Sequence, residues 1–194
     1  MKNYYKVFGL LLLITLFLQS TRAQISLDGT HEEWEYALEG TGDILQIGIP
    51  ITAGIVSILE KDYQGTKQLM LSYGTTMAIT YGMKHLIKSR RPEGRNRYDS
   101  FPSGHTSSAF SGAAFIQKRY GWKYGWIAYT LASIVGVSRM EGPDGYHNFW
   151  DVVGGAAVGI GSSYLYTTKY QKENIQISFV SDDDGYMLHL RFQF

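Results

Sequence analysis

Cysteine is missing from the 194 residues of this chain. Its absence excludes disulfide bonds, thiolate metal sites and cysteine nucleophiles. A predominance of charge of one sign is missing as well, because the formal net charge is only +1 at pH 7. The overall charge therefore gives no sign of a nucleic-acid partner, and we expect none. Any charged ligand has to be bound by a local cluster of side chains.

Apolar runs of 20 residues or more are also missing. The chain instead contains five apolar segments of 14 to 19 residues, each dotted with Gly, Ala, Ser or Thr: 44–59, 69–87, 103–116, 122–137 and 149–166. Their length and composition are typical of helices that pack closely through small residues. We predict an all-α fold, a bundle of about five core helices.

The N-terminal residues are predicted to be a targeting segment. Residues 1–23 combine two lysines, a 12-residue apolar stretch and Thr21-Arg22-Ala23 as a cleavage site, which is the pattern of a signal peptide. An uncleaved membrane anchor is the alternative. Residues 24–42 are a polar, turn-rich lead-in, with a short helix around 31–38, and residues 43–168 form the helical domain.

The C-terminal residues 169–194 differ in kind from the rest. Apolar and polar residues alternate in "NIQISFV" and again in "YMLHLRFQF", and the turn sequence "SDDDG" separates the two stretches. Strict alternation on both sides of an Asp/Gly turn predicts a β-hairpin.

The distribution of lysine and arginine bears on whether the bundle spans a membrane. The segments reach at most the roughly 20 residues that a spanning helix needs, and the mean hydropathy of −0.15 is low for a multi-span protein. However, if the mature N-terminus lies outside and all five segments span the membrane, the connecting loops alternate between its two sides. The basic loops 60–68 and 117–123 and the basic start of the tail then all lie inside, as the positive-inside rule requires. We expect a membrane-embedded bundle in the inner membrane of a bacterial cell envelope, with a soluble periplasmic bundle as the alternative.

The loop 88–102 breaks that rule, because it would lie outside although it is rich in arginine. In an up-down bundle, this loop lies at the same end as the "SRMEGPDGYHNFWD" stretch between the fourth and fifth segments. Lys84, Arg91 and Arg139 then converge there, with charges and donors that match phosphate oxygens. A run of lysines and arginines taken alone is more often a solvated loop.

The third segment begins at this same end with "PSGH". Ser103 and Gly104 would offer a hydroxyl and backbone N–H groups at a helix N-terminus, where the helix dipole favours an anion. A serine in this position is, taken alone, usually just an N-cap. His105 follows on the first turn, where a cation is disfavoured unless an anion is near. A substrate phosphate would supply that anion and hold His105 protonated as a general acid.

His147 and Asp151 are four residues apart, on one face of the helix that starts there. A carboxylate beside an imidazole fixes the tautomer and raises the basicity of the ring, which leaves the other nitrogen free to attack or to accept a proton. The alternative is a capping aspartate beside a surface histidine. A metal hydrolase that uses His105, His147, Asp144 and Asp151 is disfavoured by the three nearby cations, so we expect no metal and no cofactor.

These residues together resemble the type 2 phosphatidic-acid phosphatase superfamily, which also contains vanadium haloperoxidases and class A acid phosphatases. Its three motifs are matched in order by Lys84 with Arg91-Pro92, by the "PSGH" of residues 102–105, and by Ser138-Arg139 with His147 and Asp151. The resemblance implies that His147 is a nucleophile that forms a phosphohistidine and that Asp151 orients it. It also implies that His105 is the acid that protonates the leaving group. The residues that it implies for phosphate binding are Lys84, Arg91, Ser103, Gly104 and Arg139.

One departure from the family pattern lies in "MEGPDGY", where seven residues instead of five separate Arg139 from His147. The resemblance implies a metal-independent phosphomonoesterase with a lipid-phosphate substrate, such as phosphatidic acid, a phosphatidylglycerol phosphate, a polyprenyl diphosphate or lipid A, and a periplasm-facing site. The alternatives are a soluble periplasmic acid phosphatase of broad specificity and a non-catalytic envelope protein with a degenerate motif. The sequence does not indicate the oligomeric state.

Overall fold

The computed structural model of the protein describes residues 32–92, 96–143 and 146–170, and the backbone of 174–182 and 185–193. The predicted signal peptide lies outside these residues. Five helices make up the described part of residues 32–170: α1 (Glu33–Leu59), α2 (Tyr63–Ile87), α3 (Gly104–Tyr120), α4 (Trp122–Glu141) and α5 (Phe149–Tyr166). The prediction of a bundle of about five core helices is confirmed for this part of the chain.

Helix α1 begins 11 residues before the apolar segment that predicted it. Its polar first turns are stabilised by a capping box, in which Glu32 and Glu35 each accept a hydrogen bond from the other's backbone. Residues 33–42, predicted as a lead-in, are therefore helical. The extension brings Glu39 and Asp43 to the end of the bundle where the third segment begins.

Helix α3 lies at the centre of the bundle and contacts the other four helices. Its buried residues are mostly small, including Ala109, Ala113 and Ala114, each fully buried. Helix α5 approaches α3 so closely that a Cβ atom at Gly155 would lie 2.6 Å from the Ser103 carbonyl oxygen. Close backbone packing therefore fixes the start of α5 against the start of α3.

The outer surface of the bundle is apolar along the helices and aromatic at both ends. Large hydrophobic side chains such as Ile51, Met70 and Leu71 are exposed on α1 and α2. Exposed aromatic residues flank this band: Tyr81, Tyr98, Phe149 and Trp150 at one end, and Tyr63, Trp122, Trp126, Tyr164 and Tyr166 at the other. By length and composition, one described helix, α1, could cross a membrane.

The backbone of the tail forms strands β1 (Asn174–Asp182) and β2 (Gly185–Gln193), which pair antiparallel with Asn174 opposite Gln193. The sequence alternation places apolar residues on one face of such a ribbon.

Candidate active site

His147, Asp151 and Ser100 form a buried group at the start of α5, to which Ser100 comes from the loop before α3. The Ser100 hydroxyl donates to Asp151 Oδ2 at 2.6 Å and lies 3.4 Å from His147 Nδ1. The distance from His147 Nδ1 to Asp151 Oδ2 is 3.6 Å, which is too long for a direct hydrogen bond. Ser100 therefore bridges the carboxylate and the imidazole, and Nε2 is the ring nitrogen left for chemistry.

The capping of α5 fixes this carboxylate. Asn148 is the N-cap, and its side chain accepts a hydrogen bond from the Asp151 N–H. In return, Asp151 Oδ2 accepts from the Asn148 N–H at 3.0 Å. Asp151 is thus a capping residue, as the alternative interpretation expected, but the histidine beside it is buried and not at the surface.

The environment of His147 favours the neutral imidazole. Burial lowers the pKa of His147 below its ordinary value of about 6.5, and the nearby charges of Lys84 and Arg91 lower it further, against the opposite effect of Asp151. A neutral imidazole at neutral pH retains the lone pair that a nucleophile needs.

Arg91 is held by a carboxylate that the sequence analysis did not identify. Its Nε and Nη2 atoms donate to the two oxygens of Asp99 at 2.8 and 3.2 Å, and Arg97 donates to the same carboxylate at 3.0 Å. The hydrogen bond from Arg91 holds the pKa of Asp99 below its ordinary value, although partial burial opposes this. The Arg91 guanidinium is therefore oriented in advance by a fixed negative charge.

Lys84 lies between this pair and the start of α3. Its ammonium donates to the backbone carbonyls of Asp99 and Ser100, the latter at 3.3 Å. A Cβ atom added to Gly104 would lie 4.0 Å from Lys84 Cε, so the first residue of α3 faces the lysine stem. Lys84, Gly104 and the Ser100 loop thus border one space.

Arg139 and His105 share a second missed carboxylate, Asp43. Arg139 is 2% exposed and donates to Asp43 Oδ1 at 2.9 Å and to the Glu39 carbonyl at 2.9 Å. His105 Nε2 lies 3.1 Å from the same Asp43 oxygen. The anion that we expected from the substrate beside His105 is therefore already supplied by α1.

Tyr146 connects the two arginines of the site. Its ring centroid lies 5.2 Å from the Arg91 guanidinium carbon and 6.0 Å from that of Arg139, which are distances typical of cation–π contacts. The positive groups of the first and third motifs therefore face the same small volume.

Ser103 is at the helix N-terminus, as predicted, but its hydroxyl has a structural partner. It accepts hydrogen bonds from the Thr106 hydroxyl at 3.0 Å and the Thr106 N–H at 3.5 Å, and the side chain is fully buried. The Ser103 N–H donates to the Asp151 carbonyl. The helix begins at Gly104, not at Pro102. The N-cap alternative for this hydroxyl thus describes the structure, and its contact with phosphate stays a prediction.

The two additional residues before His147 do not separate the third motif. The His147 N–H donates to the Arg139 carbonyl at 3.2 Å, which closes the turn across the longer loop. Glu141, within the longer stretch, is exposed, and Asp144 lies outside the described residues. Within the described part of the chain, no three His, Asp or Glu side chains are grouped so that they could hold a metal ion.

The structure thus brings together all eight residues that the sequence nominated. The residues that the sequence analysis missed, Ser100, Asp99, Asp43 and Tyr146, lie next to motif residues in space. Only Ser100, Asp99 and Tyr146 lie beside a motif in sequence, where proximity to "PSGH" or to His147 could have suggested them. Asp43 carried no signal, because it lies at the start of the first apolar segment, far from every motif.

Comparisons with known proteins point to one family. Residues 65–175 match the profile of the PAP2 superfamily. The chain is 31% identical over 176 residues to the lipid A 4'-phosphatase of Helicobacter pylori, covering 86% of this chain and 85% of that protein. It is 37% identical over 100 residues to the lipid A 1-phosphatase of Porphyromonas gingivalis, a match that covers 48% of this chain and 22% of that protein.

A solved structure shares the fold. The crystal structure of Aquifex aeolicus LpxE superposes with a TM-score of 0.60 at 21% sequence identity, and the match covers 78% of this chain and 93% of that one. At this identity the likeness shows the fold alone.

Proposed function

Because this chain belongs to the PAP2 superfamily, the type 2 phosphatidic-acid phosphatases, we propose that it is a membrane-embedded phosphatase that hydrolyses a lipid phosphate through a phosphohistidine at His147. The observation that carries this proposal is the buried Asp151–Ser100–His147 group beside Lys84, Arg91 and Arg139. A neutral imidazole next to a cluster of cations is suited to attack on a bound phosphate.

In the first step, His147 Nε2 attacks phosphorus, and an N–P bond forms as the ester P–O bond breaks. His105 gives its proton to the leaving oxygen, so that an alcohol departs. Asp151, through Ser100, stabilises the positive charge that develops on the His147 ring. In the second step, His105 takes a proton from water, the resulting hydroxide attacks phosphorus, and the N–P bond breaks to release inorganic phosphate.

The cations neutralise the charge that builds up on the phosphoryl oxygens. Arg91, Lys84 and Arg139 carry fixed positive charge, and the N–H groups at the start of α3 add a helix N-terminus. Asp99 and Asp43 hold the two guanidiniums in place before substrate arrives. Such preorganisation reduces the reorganisation that the reaction would otherwise require.

The surface of the bundle supports insertion into a membrane. A band of exposed apolar side chains lies between two sets of exposed aromatic residues, among which Trp150 is 70% exposed at the site end and Trp122 is 63% exposed at the other. Tryptophan and tyrosine are enriched at both interfaces of a bilayer. Packing through small residues leaves the large apolar side chains for lipid.

Charge supports an orientation with the site in the periplasm. Lys61, Lys67, Lys118 and Lys169 lie at the end opposite the site, which the positive-inside rule assigns to the cytoplasm. Arg119 was counted with them from the sequence, but it is buried in an ion pair with Asp62 and adds nothing to that surface. At the site end, Arg91 and Arg139 are paired with carboxylates and Lys84 donates to backbone carbonyls, so these three cations belong to the site.

The lipid A phosphatases among the relatives make lipid A the first substrate to test. We expect purified protein in detergent to release phosphate from at least one member of a panel that includes lipid A, phosphatidic acid, phosphatidylglycerol phosphate and a soluble monoester. His147→Ala should abolish release and retain the helical circular dichroism of the wild type. Full activity in a folded His147→Ala variant would refute the mechanism. Release of the protein from membranes by carbonate, together with a preference for the soluble monoester, would favour a soluble acid phosphatase.

A further inference from the structure

A cleft of about 460 Å³ opens beside the proposed phosphate site, at the C-terminal end of α2. Four basic residues line it, namely Lys84, His85, Lys88 and Arg97, together with Asp99 and two tyrosines. Its volume lies in the range of small-molecule sites. Lys84 and Asp99 also border the phosphate site, so the cleft is its direct continuation.

The charge of this cleft is positive, although Asp99 contributes a carboxylate. Both oxygens of Asp99 accept hydrogen bonds from Arg91, and one accepts from Arg97. Lys84 donates only to backbone carbonyls. Among the residues that the structure describes, the Lys88 ammonium has no hydrogen-bond or ion-pair partner. Within the described residues, the positive charge at the outer wall is therefore not fully compensated.

The position of Lys88 follows from the way α2 ends. Lys88 is the C-cap, in the left-handed conformation with φ 49°, and its N–H donates to the Lys84 carbonyl at 3.3 Å. Helix termination thus places Lys88 and Lys84 on the same cleft. The exposed side chains of Tyr81 and Tyr98 complete the walls with hydroxyl donors and ring faces.

We propose that this cleft binds a second phosphate group carried on the headgroup of the same substrate molecule. The proposal rests on the proposed function. The phosphate that reacts lies among Lys84, Arg91 and Arg139, while the second phosphate lies beyond Lys84 and is bound by Lys88, with His85 and Arg97 at its sides. A bisphosphorylated headgroup is then bound at two points, and a monophosphorylated one at the reacting phosphate alone.

The test measures equilibrium binding of lipids to the inactive His147→Ala protein in detergent. The ligands are lipid A with both its 1- and 4'-phosphates and the two monophosphorylated forms. We expect the bisphosphorylated form to bind about tenfold more tightly, as a charged contact to phosphate would give. Adding Lys88→Met should remove this advantage and leave the monophosphorylated forms unaffected. The matched control is Lys67→Met, which replaces an exposed lysine near the other end of α2. It should change the affinity for neither the bisphosphorylated nor the monophosphorylated lipids.

Equal affinity for bis- and monophosphorylated lipid would overturn the proposal, as would a loss in Lys88→Met that is the same for both. A further arm adds millimolar inorganic phosphate to the monophosphorylated lipid. If Lys88→Met changes affinity in that arm alone, the cleft takes the free ion and the assignment to the substrate is wrong. Turnover of the same lipids by the wild type is scored separately. Its absence together with intact two-point binding would overturn the proposed function and support the subsite.

Discussion

Ser100 is expected to be a positioning residue for catalysis, and Ser100→Ala tests this. The substitution removes the hydroxyl that donates to Asp151 at 2.6 Å and bridges to His147. Asp151 keeps its hydrogen bond from the Asn148 N–H, so the carboxylate stays in place. A hydrogen bond to a charged group contributes about 1.5–3 kcal/mol. If that contribution acts mainly in the transition state, kcat falls about 10- to 150-fold.

The assay is phosphate release by purified protein, with kcat and KM measured separately. We expect kcat to fall and KM to change little, because Ser100 contacts the nucleophile and not the phosphate. Ser72→Ala is the matched control, since Ser72 is equally buried but its hydroxyl donates to the Gln68 carbonyl within α2. An unchanged kcat in Ser100→Ala, or an equal loss in Ser72→Ala, would refute the role of the serine bridge.

Three other perturbations follow from the geometry. Asp43→Asn should lower kcat about tenfold without raising KM, because the carboxylate holds His105 and Arg139 yet competes with phosphate for them. The acid limb of kcat/KM should have its midpoint below pH 6.5, because the lowered pKa of His147 keeps the nucleophile neutral until the pH falls through that value. Arg119→Met should lower the free energy of unfolding by about 3–5 kcal/mol, because it leaves the buried Asp62 carboxylate without its partner.

Each of these three predictions would be contradicted by a specific result. A raised KM and a lowered unfolding temperature in Asp43→Asn would indicate general damage instead of positioning. An acid-limb midpoint above pH 6.5 would contradict a buried, neutral His147. Unfolding of Arg119→Met in detergent at the wild-type temperature would show that the ion pair is not structural. In that case, replacement of both Asp62 and Arg119 by apolar residues should have no effect either.

Local patterns predicted the helices and the converging motifs well. Small residues in apolar segments predicted a bundle of closely packed helices. The order of the helix ends along the chain predicted that Lys84, Gly104, His105 and His147 lie at the same end of that bundle. Helix starts were less well predicted, because the beginning of α1 depends on a capping box between Glu32 and Glu35 and not on apolar periodicity.

Residues that contact a motif only in space could not be predicted in the same way. Asp43 reaches His105 and Arg139 across 62 and 96 positions of sequence, and no spacing rule covers such a pair. Arg119 looked like one more solvated cation, yet its ion pair with Asp62 buries it between α2 and α3. The burial of a charged side chain depends on its partner, and the partner is a property of the fold.

The central claim is that His147 carries the phosphoryl group during turnover. The most direct measurement is rapid quenching at high pH of protein mixed with a 32P-labelled substrate, followed by mapping of the labelled residue. We predict a label that is stable to base and labile to acid, as for a phosphohistidine, located at His147 and absent from His147→Ala. Label on a different residue would contradict the account. So would single-turnover hydrolysis with inversion at phosphorus and no trapped intermediate.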